Sequence, residues 1–300
     1  MVGTPRITFA IPYYRGRDYL GEAIRSVLAQ TASDWSLLVV DDCGPEPAED
    51  VVAGFEDPRI TYVRNERNLG LAGNWNECVR LATTPWVTIL HGDDRLLPEY
   101  AARVLAAAER RPGVTALFTD TVNIDGDGTP TRTLADIVKG LLPRRKGDHE
   151  LAGDDDLAGL LAGNYIVCPT MCLRRDLVGE APFDASLKFV PDWEFTTRVL
   201  MEGGRLFAVR TPLLEYRRHG GSETSLQTED ASRFVEEIAL LTQREAELGT
   251  LGWAASARSA RRRTTVRGHL FVLAGLDLLR GQRAAARAKW RVLRGDLRRR

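Results

Sequence analysis

The sequence contains few cysteines and histidines, and this scarcity limits the metal and redox chemistry open to it. Its 300 residues include four cysteines and four histidines, and no two cysteines have the C-x-x-C spacing typical of zinc or redox motifs. Cys168 and Cys172 lie close in sequence, but no histidine cluster accompanies them. A zinc site is therefore not expected, and unpaired cysteines favour a reducing, cytoplasmic location.

Long hydrophobic runs are absent as well. The longest apolar stretch, residues 270–279, is interrupted by Asp277 and is shorter than the ~20 residues that cross a bilayer. The apolar run at residues 7–11 is too short for the core of a signal peptide. We expect a cytoplasmic protein without a membrane span.

Two common phosphate-binding loops are also missing. After the first predicted strand, residues 13–18 contain a single glycine, Gly16, which does not meet the G-x-G-x-x-G pattern of dinucleotide-binding folds. The sequence has no G-x-x-x-x-G-K-[ST] loop either. A nucleotide bound by this chain must be held by other residues.

Charge is balanced over the chain but unevenly distributed along it. Residues 253–300 carry a net charge of +12, and residues 1–252 one of −12. The last predicted helix places Ala286, Trp290, Leu293 and Leu297 on one face, beside several arginines. Such a helix either packs its apolar stripe on the rest of the protein or binds an anionic membrane surface peripherally, at the inner membrane face. No nucleic-acid-binding motif accompanies the basic charge, so nucleic acid is not an expected partner.

Short β-rich runs alternate with helical patterns through the first hundred residues. Strands are predicted at residues 7–11, 35–40, 60–63 and 86–90, with helices at 18–30, 47–54 and 72–82. This alternation predicts an α/β fold with a mostly parallel sheet flanked by helices. Polar residues follow each strand, and parallel strands bring them to one edge of the sheet. We expect one cleft there, lined by Tyr13, Tyr14, Asp41, Asp42, Arg67, Asn68, Asp93 and Asp94.

The acidic pair Asp93 and Asp94 directly follows the most buried of these strands. Carboxylate oxygens at a strand end suit a divalent cation that carries phosphates. The same residues also fit an acidic turn in which Asp94 or a neighbouring residue caps a helix starting at Pro98. The residues alone leave both interpretations open.

Three ordered motifs resemble the donor half of family 2 glycosyltransferases of GT-A fold. They span residues 7–44, 64–82 and 86–94, and the last of them reads WVTILHGDD. The resemblance implies an inverting transferase that takes a sugar from a nucleoside-diphosphate sugar with Mn²⁺ or Mg²⁺. It implies donor contacts from the segment of Pro12 and Tyr13, stacking of Tyr14 on the nucleobase, and base recognition by Asp42 or Asp41. It also implies a diphosphate loop with Asn68, Gly70 and Asn74, and a metal ligand in Asp93.

Two residues depart from that family's pattern. Tyr13 stands where a threonine is usual, and His91 stands at the first aspartate of the D-x-D motif. Asp93 is then the firmer ligand. His91 is either a further ligand or a hydrogen-bonded structural histidine.

The second half of the chain resembles the acceptor side of the same family. Asp192, in the sequence Pro191-Asp192-Trp193-Glu194, matches the catalytic base, although a proline before an aspartate also predicts an ordinary helix N-cap. The segment 216–219 resembles a Tyr-Arg-x-His motif, which makes His219 a candidate third metal ligand or diphosphate contact. A lone loop histidine is otherwise simply exposed.

These patterns predict a GT-A catalytic domain at residues 1–228, with a nucleotide-sugar half at about 5–120 and an acceptor half at about 121–228. A basic helical region at 229–300 follows, and a polar surface loop is expected at 126–147. The expected acceptor is a glycan, a lipid-linked sugar or a small molecule, in the synthesis of a bacterial-type glycan. Two other functions fit less well: a sugar-phosphate nucleotidylyltransferase, which needs a glycine- and arginine-rich loop after the first strand, and a non-catalytic nucleotide-sugar-binding adaptor.

Overall fold

The structure divides into two compact units. It is a computed structural model that describes residues 4–131, 145–220 and 227–298, so residues 132–144 of the predicted surface loop lie outside the described residues. The first unit comprises Met1–Leu151, Ile166–Ser186 and Gly204–Arg218, and the second Ala152–Tyr165, Leu187–Gly203 and His219–Arg300. These units interleave along the chain, and the functional domain boundary at residue 228 stays a prediction.

The first unit is built on a nine-stranded sheet. Its strand order is β3-β2-β1-β4-β8-β6-β9-β5, and β7 pairs with β9 beside this path. The strands are β1 (Ile7–Tyr13), β2 (Trp35–Asp41), β3 (Ile60–Arg64), β4 (Trp86–Ile89), β5 (Arg95–Leu96), β6 (Ala116–Ile124), β7 (His149–Leu151), β8 (Cys172–Arg174) and β9 (Leu206–Arg217).

The strands β3, β2, β1 and β4 are parallel, as the alternation in the sequence predicts. The prediction that the first strand ends before Pro12 is wrong, since β1 continues to Tyr13. Its pairing with β4 stops at Ala10, whereas its pairing with β2 runs on to the pair Tyr13 and Asp41. Pro12 therefore lies beyond the end of β4. Its lack of a backbone N–H costs no hydrogen bond to that strand.

The other half of the sheet mixes directions. The three-residue strand β8 is antiparallel to both β4 and β6, so it joins the two halves. The longest strand, β9, runs parallel to β6 and antiparallel to β5 and β7. It runs over 12 residues, from Leu206 to Arg217.

Helices cover the sheet and bury its apolar side chains. They are α1 (Arg17–Leu28), α2 (Glu49–Ala53), α3 (Leu71–Leu81) and α4 (Tyr100–Arg110). Alternate residues of β1, namely Ile7, Phe9 and Ile11, are fully buried in a core that also contains Leu20 and Ile24 of α1. The fourth helix starts after Pro98, and Asp94 does not cap it.

The second unit is helical. Its helices are α5 (Gly153–Ala162), α6 (Pro191–Met201), α7 (Ser232–Leu251), α8 (Ala254–Arg262), α9 (Thr264–Leu279) and α10 (Arg283–Leu297). The helical region is broken at Gly252 and at Gly281, and both glycines have positive φ. Of the apolar stripe predicted on the last helix, Ala286 and Leu293 are buried while Leu297 is exposed. Among the described residues, no helix combines the length and apolarity of a membrane span.

Candidate active site

Two tyrosines at the end of β1 have different surroundings. Tyr13 is buried, its hydroxyl donates a hydrogen bond of 2.9 Å to the Glu46 carbonyl, and burial is the main cause that raises its pKa to about 12. Tyr14 is 44% exposed. A Cβ on Gly44 would collide with the Tyr14 carbonyl oxygen, so a glycine is required where the β2 loop passes the Tyr14 backbone. Tyr14 thus presents an accessible ring, and Tyr13 braces the loop beside it.

The two aspartates at the end of β2 are buried and hydrogen-bonded. Asp41 accepts hydrogen bonds from the Gly44 backbone N–H (3.0 Å), the Tyr62 hydroxyl (2.7 Å) and the Arg64 guanidinium (2.6 Å). These contacts satisfy a carboxylate that has no exposed surface. Asp41 therefore closes the turn after β2.

Asp42 ties that turn to the loop before α3. Its carboxylate accepts hydrogen bonds from the Asn65 side chain (2.9 Å) and from the backbone N–H groups of Leu69 (2.8 Å) and Gly70 (3.0 Å). The carboxylate thus fixes the backbone of the loop that contains Asn68.

The loop at residues 65–70 is also braced from within. Asn68 is exposed, and its carboxamide oxygen accepts a hydrogen bond of 2.8 Å from the backbone N–H of Gly70. Gly70 has a positive φ of 77°. Asn74 is buried and spans from the Asn65 side chain (3.1 Å) to the Val40 carbonyl (3.1 Å). The loop therefore has a defined shape, with the Asn68 side chain at its surface.

A cluster of three residues that can bind a metal ion follows β4. His91, Asp93 and Asp94 each offer a ligand atom, and these atoms lie within 4.8 Å of one another. Asp93 is partly exposed, whereas Asp94 is 1% exposed. Burial, and next the neighbouring Asp93, raise the pKa of Asp94 well above its usual value, while burial lowers the pKa of His91.

The cluster suits a divalent cation. Among the described residues, the buried atoms Nε2 of His91 and Oδ2 of Asp94 have no hydrogen-bond partner. Buried polar atoms are normally satisfied, and a lowered pKa keeps an imidazole neutral, which is the form that binds metals. Carboxylate oxygens suit Mg²⁺ and Mn²⁺, and a neutral imidazole is a common metal ligand. The interpretation of Asp94 as a helix cap is wrong.

Two residues that the sequence analysis did not select hold this cluster in place. Arg217, 2% exposed, donates to the Asp93 carbonyl (2.8 Å) and to Glu22 of α1 (2.6 Å), and its backbone N–H donates to Asp94 Oδ1 (2.8 Å). Trp75 of α3 stacks on the His91 ring with centroids 5.4 Å apart. Their sequence signal is weak, because an arginine at a strand end is usually solvent-exposed and a tryptophan at helical spacing usually belongs to an ordinary core.

In the second unit, Asp192 is the second residue of α6, after the N-cap residue Val190, and its carboxylate interacts with the backbone N–H of Trp193. Glu236 of α7 accepts the backbone N–H groups of Lys188, Phe189 and Val190, directly before that helix. The N-cap interpretation of Asp192 is therefore wrong, because Val190 is the N-cap residue and Asp192 lies two positions after it.

Asp192 has the properties of a proton acceptor near neutral pH. Burial raises its pKa to about 6, although the Trp193 N–H and the Asn164 side chain (3.2 Å from Oδ2) oppose the shift. A carboxyl group with a pKa near the working pH is suited to general-base catalysis. The neighbouring Glu194 is held instead by Arg198 and by Arg244, which is 2.7 Å away.

His219, the remaining candidate, begins the last segment of the second unit. Its assignment to a metal or a diphosphate stays a prediction, as do the donor contacts of Pro12 and Tyr13.

The sequence is similar to a known protein family and to individual proteins. A family model described as glycosyl transferase family 2 matches residues 8–176. The chain is 26% identical over 223 residues to a putative teichuronic acid biosynthesis glycosyltransferase, TuaG of Bacillus subtilis, covering 74% of this chain and 82% of that protein.

Two solved structures share the fold. The mannosyltransferase PcManGT of Pyrobaculum calidifontis, solved with GDP-Man and Mn²⁺, has a TM-score of 0.61 at 16% identity, covering 98% of this chain and 88% of that one. TarS 1–349 of S. aureus, solved with UDP-GlcNAc, also has a TM-score of 0.61, at 17% identity, and covers 79% of this chain and 66% of that one. These similarities identify the GT-A fold.

Proposed function

The chain belongs to glycosyl transferase family 2, and from this premise we propose that it transfers a sugar from a nucleoside-diphosphate sugar to an acceptor hydroxyl. The observation that carries the proposal is the cluster of His91, Asp93 and Asp94 at the end of β4, inside the family match. GDP-Man in PcManGT and UDP-GlcNAc in TarS support a donor of this class.

We assign the donor nucleotide to the edge of the sheet in the first unit. The exposed Tyr14 ring supplies a stacking surface for the base, and the turn at Asp41 and Asp42 supplies polar contacts to it. The loop of Asn68, with its exposed carboxamide, suits the diphosphate.

We assign a divalent cation, Mn²⁺ or Mg²⁺, to Asp93, with His91 and Asp94 as further ligands. The cation bound to PcManGT supports this assignment. When bound, such an ion neutralises charge on a leaving nucleoside diphosphate. Arg217 holds the Asp93 backbone and Trp75 holds the His91 ring, so the ligands need little rearrangement on binding.

We assign the general base to Asp192. Its carboxylate takes the proton of the acceptor hydroxyl while that oxygen attacks the anomeric carbon. A single displacement of this kind inverts the anomeric configuration, whereas retention through a glycosyl-enzyme needs a carboxylate nucleophile. The name of TuaG, a putative teichuronic acid biosynthesis glycosyltransferase, suggests the synthesis of a bacterial polysaccharide as the setting.

The test is a product assay with purified protein, Mn²⁺ and a panel of nucleoside-diphosphate sugars. Without an acceptor, we expect slow release of the nucleoside diphosphate by hydrolysis of the donor. With an acceptor, we expect the nucleoside diphosphate to be released faster. Pyrophosphate release from a nucleoside triphosphate plus a sugar phosphate would instead identify a nucleotidylyltransferase. Donor binding without any turnover would identify an adaptor, and either result would overturn the proposal.

A further inference from the structure

The helix α9 exposes an uncharged apolar face. Phe271 (60% exposed), Val272 (55%), Leu278 (51%) and Leu279 (86%) lie on it, while the opposite face buries Leu270 and Ala274. At 100° per residue the four exposed side chains fall within a ~120° arc. Contiguous exposed apolar side chains of this kind mark interaction sites.

The adjacent helix α10 exposes a row of arginines. Arg283, Arg287, Arg291, Arg294 and Arg298 are all exposed, and their spacing of three or four residues puts them within a ~80° arc. Among the described residues, none of these five forms an ion pair.

The acidic side chains of these two helices, Asp277 and Asp296, form ion pairs with other basic residues. Lys289 pairs with Asp277 at 2.7 Å, and Arg263 and Arg267 both pair with Asp296. The acidic residues of α9 and α10 are therefore occupied by buried partners. They do not neutralise the exposed row.

Trp290 joins the apolar face to the arginine row. Its ring meets Phe271 edge-on, with centroids 5.6 Å apart and planes at 86°. On α10, Trp290 and Leu297 (51% exposed) lie between the buried Ala286 and Leu293 and the arginines. The exposed side chains thus form one continuous surface, which we call the α9–α10 surface: Phe271, Val272, Leu278, Leu279, Trp290, Leu297 and the five arginines.

We propose that the α9–α10 surface docks on an anionic phospholipid bilayer. The arginines meet the lipid phosphates, Trp290 lies at the headgroup level, and the apolar side chains of α9 enter the interface. Charge complementarity selects this occupant over a second copy of the chain, since two such rows facing each other repel. Docking of this kind is peripheral, which agrees with the lack of a spanning helix among the described residues.

The test is co-sedimentation of the full chain with vesicles of phosphatidylglycerol and phosphatidylcholine in equal parts, beside vesicles of phosphatidylcholine alone. Binding is expected to the anionic vesicles only and to weaken as salt increases. The double variant Arg287→Gln/Arg291→Gln should bind about thirtyfold more weakly, because each basic residue at an anionic surface contributes about 1 kcal/mol. The double variant Phe271→Ser/Leu279→Ser should also lose binding.

The matched control is Arg103→Gln/Arg110→Gln, which removes the same charge from exposed positions of α4 in the first unit. This control should bind as the unchanged protein does, and all variants should keep its melting temperature. The proposal is overturned if the protein stays in the supernatant at low salt, or if the control loses as much binding as the α10 variant. It is also overturned if Phe271→Ser/Leu279→Ser only abolishes a concentration-dependent dimer, since a second copy then covers the surface.

Discussion

The chemistry of single residues here is decided by what their neighbours donate. Asp41 and Asp192 are both aspartates that the sequence offers as candidates. Asp41 accepts three hydrogen bonds, one of them from Arg64, and serves the fold. Asp192 has one side-chain donor, Asn164, and burial raises its pKa. Residue type alone did not separate these two roles, because the partners come from distant parts of the sequence.

The first prediction concerns Asp192→Asn. The variant should bind donor as before but transfer sugar at least about a hundredfold more slowly, the usual loss when a general base is removed. Donor affinity by calorimetry and transfer rate by product assay check this. The control is Asp155→Asn, a change of the same type on α5 of the second unit, which should leave both quantities unchanged. A variant that keeps full transfer activity would refute the assignment.

The second prediction is a pH dependence of the same step. The base works in its deprotonated form, and the pKa of Asp192 is raised to about 6. The value of kcat/KM for the acceptor, which reports the pKa of the free enzyme, should therefore rise with pH through about pH 6 and level off above it. The residual activity of Asp192→Asn should not show this rise with pH. A rate that falls between pH 5 and pH 7 would contradict the assignment.

At the scale of elements, the N-terminus of α6 depends on a side chain from another helix. The sequence predicts a helix here and leaves Asp192 open between a catalytic base and an ordinary N-cap. Glu236 of α7 accepts the three backbone N–H groups before the helix, from some 46 residues further along the chain. Local patterns predict the helix because its apolar spacing is local, but they do not identify a cap supplied by tertiary contact.

The third prediction tests that cap. Glu236→Ala should lower the free energy of unfolding of the second unit by about 1–2 kcal/mol, because three N–H groups lose their acceptor. Glu236→Gln keeps one acceptor oxygen and should lose less. Denaturant unfolding of the three proteins measures the difference. Equal stability of all three would show that the N–H groups find other partners.

The strands differ in the same way: some are predicted by their own residues, and others depend on contacts with distant parts of the chain. The first four strands were predicted within two residues at each end, since each is a short apolar run with turn signals around it. The sheet's second half was not predicted in detail. Strand β8 has only three residues and is defined by its neighbours β4 and β6 rather than by its own sequence.

At the scale of the whole molecule, the GT-A fold and the glycosyltransferase family were both predicted from the sequence and confirmed. The alternation of strands and helices predicts the parallel half of the sheet, and the resemblance of the motifs at residues 7–44, 64–82 and 86–94 implies the family. The residues that make the site rigid, Arg217 and Trp75, were not selected. Their roles depend on where a late strand and a helix face fall in space.

The central claim is that the first unit binds a nucleoside-diphosphate sugar together with a divalent cation held by Asp93. The most direct test is calorimetric titration of nucleoside diphosphates into the full chain, with Mn²⁺ and with chelator, for the unchanged protein, Asp93→Asn and the control Asp127→Asn. Asp127 is an exposed aspartate on a turn of the same unit. We predict metal-dependent binding in the unchanged protein and the control, and its loss in Asp93→Asn. Equal affinity with and without chelator in all three proteins would contradict the claim.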